Sequence, residues 1–206
     1  MTFKIDLHVH SRYSFDCSVN PEHLIKWGKK RGMDAICITD HDSYLSSAPI
    51  EEVAKDSGLI VLRGAEASTS CGHLILYGVQ DDSWNKQGLT GQLDPQRLID
   101  YVNDQGGAVI AAHPFRKGEE HSGGWRMAKL RGLAAIDVWN LRCTDEENRQ
   151  AVELAKEMGL PMVGGSDAHA AVEVGLAYSI VNVKVNSIQD LVIALKKGWC
   201  RVGKNL

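Results

Sequence analysis

No apolar run in this 206-residue sequence approaches the ~20 residues that span a bilayer. The N-terminus also lacks the basic segment, apolar stretch and cleavage site of a secretion signal. A cytoplasmic protein with no membrane partner is therefore expected. Neither sign of charge dominates: 23 Lys and Arg stand against 26 Asp and Glu, for a net charge of −3. That balance provides no electrostatic footprint for tight, non-specific nucleic-acid binding, so no stable nucleic-acid partner is expected. A local basic patch at a site mouth stays compatible with it. Cysteines are few and scattered (Cys17, Cys37, Cys71, Cys143 and Cys200) and form no C-x-x-C pair. This speaks against a disulfide framework or a thiolate zinc site. Internal repeats, low-complexity tracts and linker composition are also missing, which makes 1–206 a single domain in the simplest account.

What the sequence does have is histidine in a particular place. Six of its eight histidines stand at or beside the ends of short apolar runs, most of them joined there by a carboxylate. Strand-like runs at 3–9, 35–39, 60–63, 74–77, 108–112, 135–139, 162–164 and 179–183 alternate with helical spacing at 21–31, 44–57, 95–105, 146–158 and 187–197. Pro21 and Pro95 suit first-turn positions, and Gly32, Gly58, Gly106 and Gly159 suit C-terminal stops. Such alternation indicates an α/β fold with a parallel sheet covered by helices. Residues 81–91 and 117–125 are polar and glycine-rich, and they are expected as loops over the site mouth. Trp84 and Trp125 within them are expected to be exposed, as an interface or a lid.

The imidazole and carboxylate groups form the ligand set for borderline and hard divalent metals. His8 and His10 lie two apart on a strand and so point to one face. Asp6 between the buried Ile5 and Leu7 either takes a ring N–H from a histidine or partners a nearby arginine or backbone amide. In Thr39-Asp40-His41-Asp42, three ionisable groups crowd a strand end, which is costly without a compensating cation; His41 is the ligand candidate, and Asp42 suits a solvated loop. Glu66 follows an apolar strand, and a buried glutamate is rare unless paired or metal-bound. His73 stands at the start of its run, so its approach to a common site requires a reversed strand or hairpin. His113 is led in by small residues and followed by Pro114. Asp167 and His169 follow Gly164 and Gly165, and Asp16 follows the first strand, where helix capping is the competing role. Nine donors exceed the four to six that one ion takes, which points to two or three divalent ions, with Mn, Fe or Zn all admitted. His23, inside a helix, and His121, in a loop, fall outside the set. Cys17 and Cys71 lie close to it without a chemical role assigned.

These residues resemble the PHP family, named for polymerase and histidinol phosphatase domains, over nearly the whole chain. Asp6-Leu7-His8-Val9-His10-Ser11, Thr39-Asp40-His41-Asp42, Ala112-His113-Pro114 and Gly165-Ser166-Asp167-Ala168-His169 match its four motifs in order. The resemblance implies a distorted TIM-like (β/α)7 barrel with a trinuclear metal centre at the C-terminal mouth of the strands. It implies His8, His10, Glu66 and Asp167 around one ion, Glu66 bridging to a second held by His73 and His113, and Asp16, His41 and His169 around a third.

The function expected is hydrolysis of a phosphate ester by metal-bound hydroxide, with a small phosphorylated metabolite or nucleotide as substrate. The catalytic candidates are Asp16, His41, His169 and Arg116. Arg12, Arg116 and Asn140 are the candidate substrate contacts, since a guanidinium can grip phosphate in a bidentate manner. Because the chain ends almost directly after its last helix, a free-standing enzyme is favoured over a polymerase-attached domain. Two rivals from other classes are an amidohydrolase-like C–N hydrolase, which would usually need a strand-end lysine that is not evident, and a non-catalytic module stabilised by metal. Oligomeric state has no signature here.

Overall fold

A computed structural model of the chain describes residues 2–86, 88–89, 92–118 and 122–204. His121 and parts of the expected loops 81–91 and 117–125 lie outside the described residues. Among the described residues, eleven strands and five α-helices occur in the order β1 (Phe3–Val9), α1 (Pro21–Lys30), β2 (Ala35–Ile38), α2 (Ile50–Ala54), β3 (Ile60–Thr69), β4 (Gly72–Tyr77), β5 (Gly88–Leu89), β6 (Gln92–Leu93), α3 (Pro95–Asp104), β7 (Ala108–Ala111), β8 (Ala135–Asn140), α4 (Asp145–Met158), β9 (Met162–Gly165), β10 (Ala177–Val181), α5 (Ile188–Lys196) and β11 (Cys200–Lys204). The sheet runs β11-β10-β1-β2-β3-β4-β7-β8-β9. The end of β9 folds back onto β1: the Asp167 amide donates to the His8 carbonyl (2.7 Å) and the His10 amide to the Ala168 carbonyl (3.0 Å). This contact brings the sheet nearly to closure, as the barrel expectation requires.

The distortion has two identifiable sources. β4 runs antiparallel to both β3 and β7, joined to β3 by a tight hairpin with no helix between them. The link from β7 to β8 carries only a 3₁₀ helix, Gly124–Lys129. The helix expected over 44–57 is also broken, into a 3₁₀ turn (Leu45–Ser47) and the short α2. Pro49 stands between them and cannot donate to a continuing helix. β3 extends to Thr69 rather than ending at 63, because the hairpin with β4 pairs it residue by residue from Gly64↔Tyr77 to Thr69↔Gly72. β11 has no counterpart in the sequence pattern.

Ile5, Leu7, Cys37, Ile75, Tyr77 and Ile110 belong to one buried cluster, to which α5 adds Leu191 and Leu195. A second cluster holds the β4 and β7 faces against α3 and α4, and the fully buried Trp84 is part of it. The expectation that Trp84 is exposed is thus overturned. Its segment is tied to the flank of the barrel, where Asp82 accepts hydrogen bonds from Ser43, Tyr44 and Leu45. Trp125 is exposed as expected. Among the described residues, no helix is long and apolar enough to cross a membrane.

Candidate metal centre

Two register shifts aim the strand ends at one point. Along β1, Phe3, Ile5 and Leu7 face the interior cluster, while Val9 packs with Leu24 and Ile36 toward α1. The shift in pairing between Asp6 and Val9 places His8 and His10 on the inner side directly after Leu7, which strict alternation forbids. β8 does the same between Asp137 and Trp139, so Asp137 and Asn140, three apart, both reach inward. Three non-glycine residues adopt left-handed φ among the described residues: Asp42, His113 and Asp167. Two of them are donors, and Asp42 adjoins a third. A residue before proline normally prefers extended backbone, so a φ of 25° at His113 marks conformational strain held by the surrounding fold.

The structure brings all nine expected donors together. Glu66 is central and fully buried. Its Oε2 lies 3.0 Å from His8 Nε2, 3.1 Å from His10 Nε2 and 3.6 Å from His41 Nε2. Its Oε1 lies 3.0 Å from His73 Nδ1 and 2.9 Å from His113 Nε2. Asp167 Oδ1 approaches His10 Nε2 (3.3 Å), His169 Nδ1 (3.5 Å) and His8 Nε2 (3.6 Å). Asp16 Oδ2 meets His169 Nε2 at 2.7 Å and His41 Nε2 at 3.4 Å. His73 arrives because β4 is reversed and begins where the parallel strands end; the Ala112 amide donates to its carbonyl. Four overlapping groups could each hold an ion: His8, His10 and Asp167; His8, Glu66 and His113; His41, Glu66 and His73; and His10, Asp16, His41 and His169.

The residues present fit divalent cations. Asp167 Oδ1 is buried and has no hydrogen-bond partner although imidazole nitrogens surround it, as an oxygen awaiting a cation would be. Burial opposes every charge in the cluster, yet the charges persist by mutual compensation. Against burial, the charges of Glu66 and Asp167 hold His8 above its usual range, and the close approach of the Asp167 and Glu66 carboxylates carries His10 up to about 10. Burial prevails at His113, pulled down to about 4. Glu66 and Asp167 are both held below the ordinary carboxylate range, despite burial, by the charge of His8 and its neighbours. Protons and the Arg116 guanidinium, which pairs with Asp167, here supply the positive charge that metal ions provide when bound.

Other expected residues take different positions. Asp6 does not reach an imidazole; it accepts from the amides of His8, Ser166 and Gly175 and from the Ser166 hydroxyl, tying β1 to the segments after β9. Asn140 is buried, and its amide donates to Asp137 (3.1 Å) and Asp167 (3.3 Å) while its oxygen accepts from the Arg142 amide. That leaves no donor for a substrate, so the expected substrate contact is instead a brace for Asp167. Arg12 is exposed and donates to Asn20; the structure does not bring it into the cluster. Asp42 accepts from Ser68, and His23 is exposed on α1. The Cys17 thiol donates to the His169 carbonyl, at 3.7 Å.

Sequence reasoning missed Asp137, whose Oδ1, like Nδ1 of His8, is buried without a hydrogen-bond partner. It missed Arg142, which holds the Asp167 carbonyl, and Glu173, which accepts from the His169 amide. A carboxylate inside an apolar strand was the available signal for Asp137.

The family model of the PHP domain matches residues 6–107, and a model described as PHP-associated matches residues 145–200. An uncharacterized protein of Methanocaldococcus jannaschii is 32% identical over 190 residues, covering 85% of this chain and 69% of its own length. Among solved structures, a two-domain Bacteroides vulgatus protein containing a predicted PHP-like metal-dependent phosphoesterase superposes with a TM-score of 0.77 at 21% identity. The match covers 100% of this chain and 65% of that one, so the chain spans just under two thirds of its neighbour. An amidohydrolase from Chromobacterium violaceum gives a TM-score of 0.68 at 19% identity, with 97% of each chain covered. These two likenesses establish the fold.

Proposed function

The chain belongs to the PHP domain family, and from that premise we propose that it hydrolyses a phosphate ester of a small metabolite or nucleotide with two or three divalent cations, Mn, Fe or Zn. The observation that carries this reading is the placement of Glu66, with one oxygen facing His73 and His113 and the other facing His8 and His10. A carboxylate so placed suits a bridge between neighbouring ions.

When bound, such ions neutralise phosphate oxygens and lower the pKa of water toward ~7. The chain's own groups do the rest. His8, His10 and Asp167 form one pocket edge, His73 and His113 a second, and Asp16, His41 and His169 a third. Asp16, His73 and His169 are the more exposed donors, which suits their side of the cluster to the entry of the ester. Hydrogen bonds from Ser14 and His169 and the charge of His41 outweigh burial and bring Asp16 down to about 2. It therefore stays an anion, which suits it to share a cation with His41 and His169 on that side. Arg116, paired with Asp167 at the mouth of β7, can turn to a phosphate oxygen, where a guanidinium binds in a bidentate manner.

The C–N hydrolase alternative has no supporting lysine: among the described residues, the lysine side chains that make hydrogen bonds or ion pairs do so with Ser57 and Glu52, away from the nine donors. Phosphate release from p-nitrophenyl phosphate and a nucleotide panel, with added Mn²⁺, tests the reading. Chelator and Asp167→Ala are each expected to abolish release while the fold is retained. Full metal loading without release from any ester would favour a binding module instead.

A further inference from the structure

Phe15 is 82% exposed, the most exposed large apolar side chain among the described residues. It does not stand on a remote surface: it precedes the donor Asp16, and its ring centroid lies 5.0 Å from that of His41, the planes tilted by 30°. Its loop is pinned from within. The Ser14 amide donates to the Ser11 carbonyl and the Arg12 amide to the Val19 carbonyl, both at 2.9 Å. Ser11 itself is held through its amide and hydroxyl by the buried Asp40, each at 2.6 Å. A fold that fixes this loop also fixes a bare aromatic face at the rim of the cluster.

Phe15 is not alone among exposed apolar residues in following a strand end. Of seven exposed large apolar side chains among the described residues, five follow the C-terminal ends of parallel strands: Phe15, Leu45, Trp125, Leu141 and Val172. Trp125 packs edge-on against Phe115, with centroids 5.3 Å apart. Exposed aromatic area beside a cluster of charges suits a ligand with one strongly charged end and one flat apolar end.

We propose that Phe15 is a stacking platform for a planar ring on the alcohol side of the ester, so that the substrate is a nucleoside phosphate or another aryl-bearing phosphate ester. The inference rests on the phosphoesterase reading and adds what lies beyond the phosphate. A rigid ring with two side-chain torsions loses little entropy when covered, and stacking of a base on an aromatic side chain changes affinity on the order of tenfold or more. An alkyl chain would gain from any apolar surface; a flat ring gains specifically from a flat face.

The test compares the whole wild-type chain with Phe15→Ala, Phe15→Leu and Phe15→Trp, all loaded with Mn²⁺, on a nucleoside 5′-monophosphate, p-nitrophenyl phosphate and glycerol 1-phosphate. The expected result is a fall, on the order of tenfold, in the kcat/KM ratio of aromatic to glycerol ester in the alanine and leucine variants. The fall should be carried by KM and restored by tryptophan. A fall confined to the nucleotide identifies a nucleobase, and a fall on both aromatic esters identifies any planar ring. An unchanged ratio, or full rescue by leucine, overturns the proposal. If the wild type turns over none of the three, the phosphoesterase reading fails and equilibrium dialysis decides the inference. Tighter binding of the nucleotide by wild type than by Phe15→Ala upholds it, and equal binding overturns it.

Discussion

Asn140 shows how a residue's part is set by its neighbours rather than by its position on a strand. Standing at the end of β8, it reads from sequence as a polar group available to substrate, yet each of its amide hydrogens is engaged by a carboxylate, Asp137 or Asp167. Bracing of this kind orients a ligand, and removing such a partner typically lowers metal affinity or activity 10–100-fold. Asn140→Ala is therefore expected to weaken Mn²⁺ binding in that range, as measured by calorimetry, with KM for the ester moving less than kcat. A rise in KM alone would return Asn140 to the substrate. Seven of the nine candidate donors were legible as imidazole or carboxylate groups at the end of an apolar run, whereas Asp16 lies in a loop and His73 opens its run. Asp137 left only the signal of a carboxylate inside an apolar strand, because a bulge, invisible in the sequence, is what turns it inward.

Strand direction and close approach govern the next scale. His73 is unconvincing in sequence since it opens its run, and only the reversal of β4 in the hairpin with β3 brings it to Glu66. The parallel strands, α1, α3, α4 and α5 were legible from periodicity, proline starts and glycine stops. The break at Pro49 and the edge strand β11 were not, since neither leaves a period of its own. Gly165 illustrates the tolerance of the barrel seam: a Cβ there would lie 2.6 Å from His8 Cβ and 2.8 Å from the His8 backbone nitrogen. Gly165→Ala is expected to pry β9 from β1 and destabilise the fold by about 1–3 kcal/mol. Because Asp167 and His8 ride on the two sides of that seam, metal affinity should fall with it. Chemical denaturation with and without Mn²⁺ checks both; an unchanged midpoint and affinity would show that the seam yields freely.

At the scale of the whole molecule, buried protons and metal ions compete for the same atoms. His10 rises to about 10 in the metal-free protein, above its ordinary value of 6.5. Its protonation thus stabilises the metal-free fold fully below pH 6.5, and that contribution is lost as pH climbs through 10. Ligation requires the neutral ring, so binding in this window releases a proton, and apparent metal affinity should increase with pH, by up to about tenfold per unit for each proton displaced. Calorimetry in buffers of differing ionisation heat measures that release. Affinity that stays flat from pH 7 to 9 would mean that binding displaces no proton from His10.

The most direct test of the account is a titration of chelator-stripped protein with Mn²⁺, following bound ions per chain and phosphate release from a nucleotide in the same samples. Release is predicted to be nil in the stripped protein and to appear as two to three ions bind. Release that persists after stripping, or a chain that fills with metal and stays silent, would contradict it.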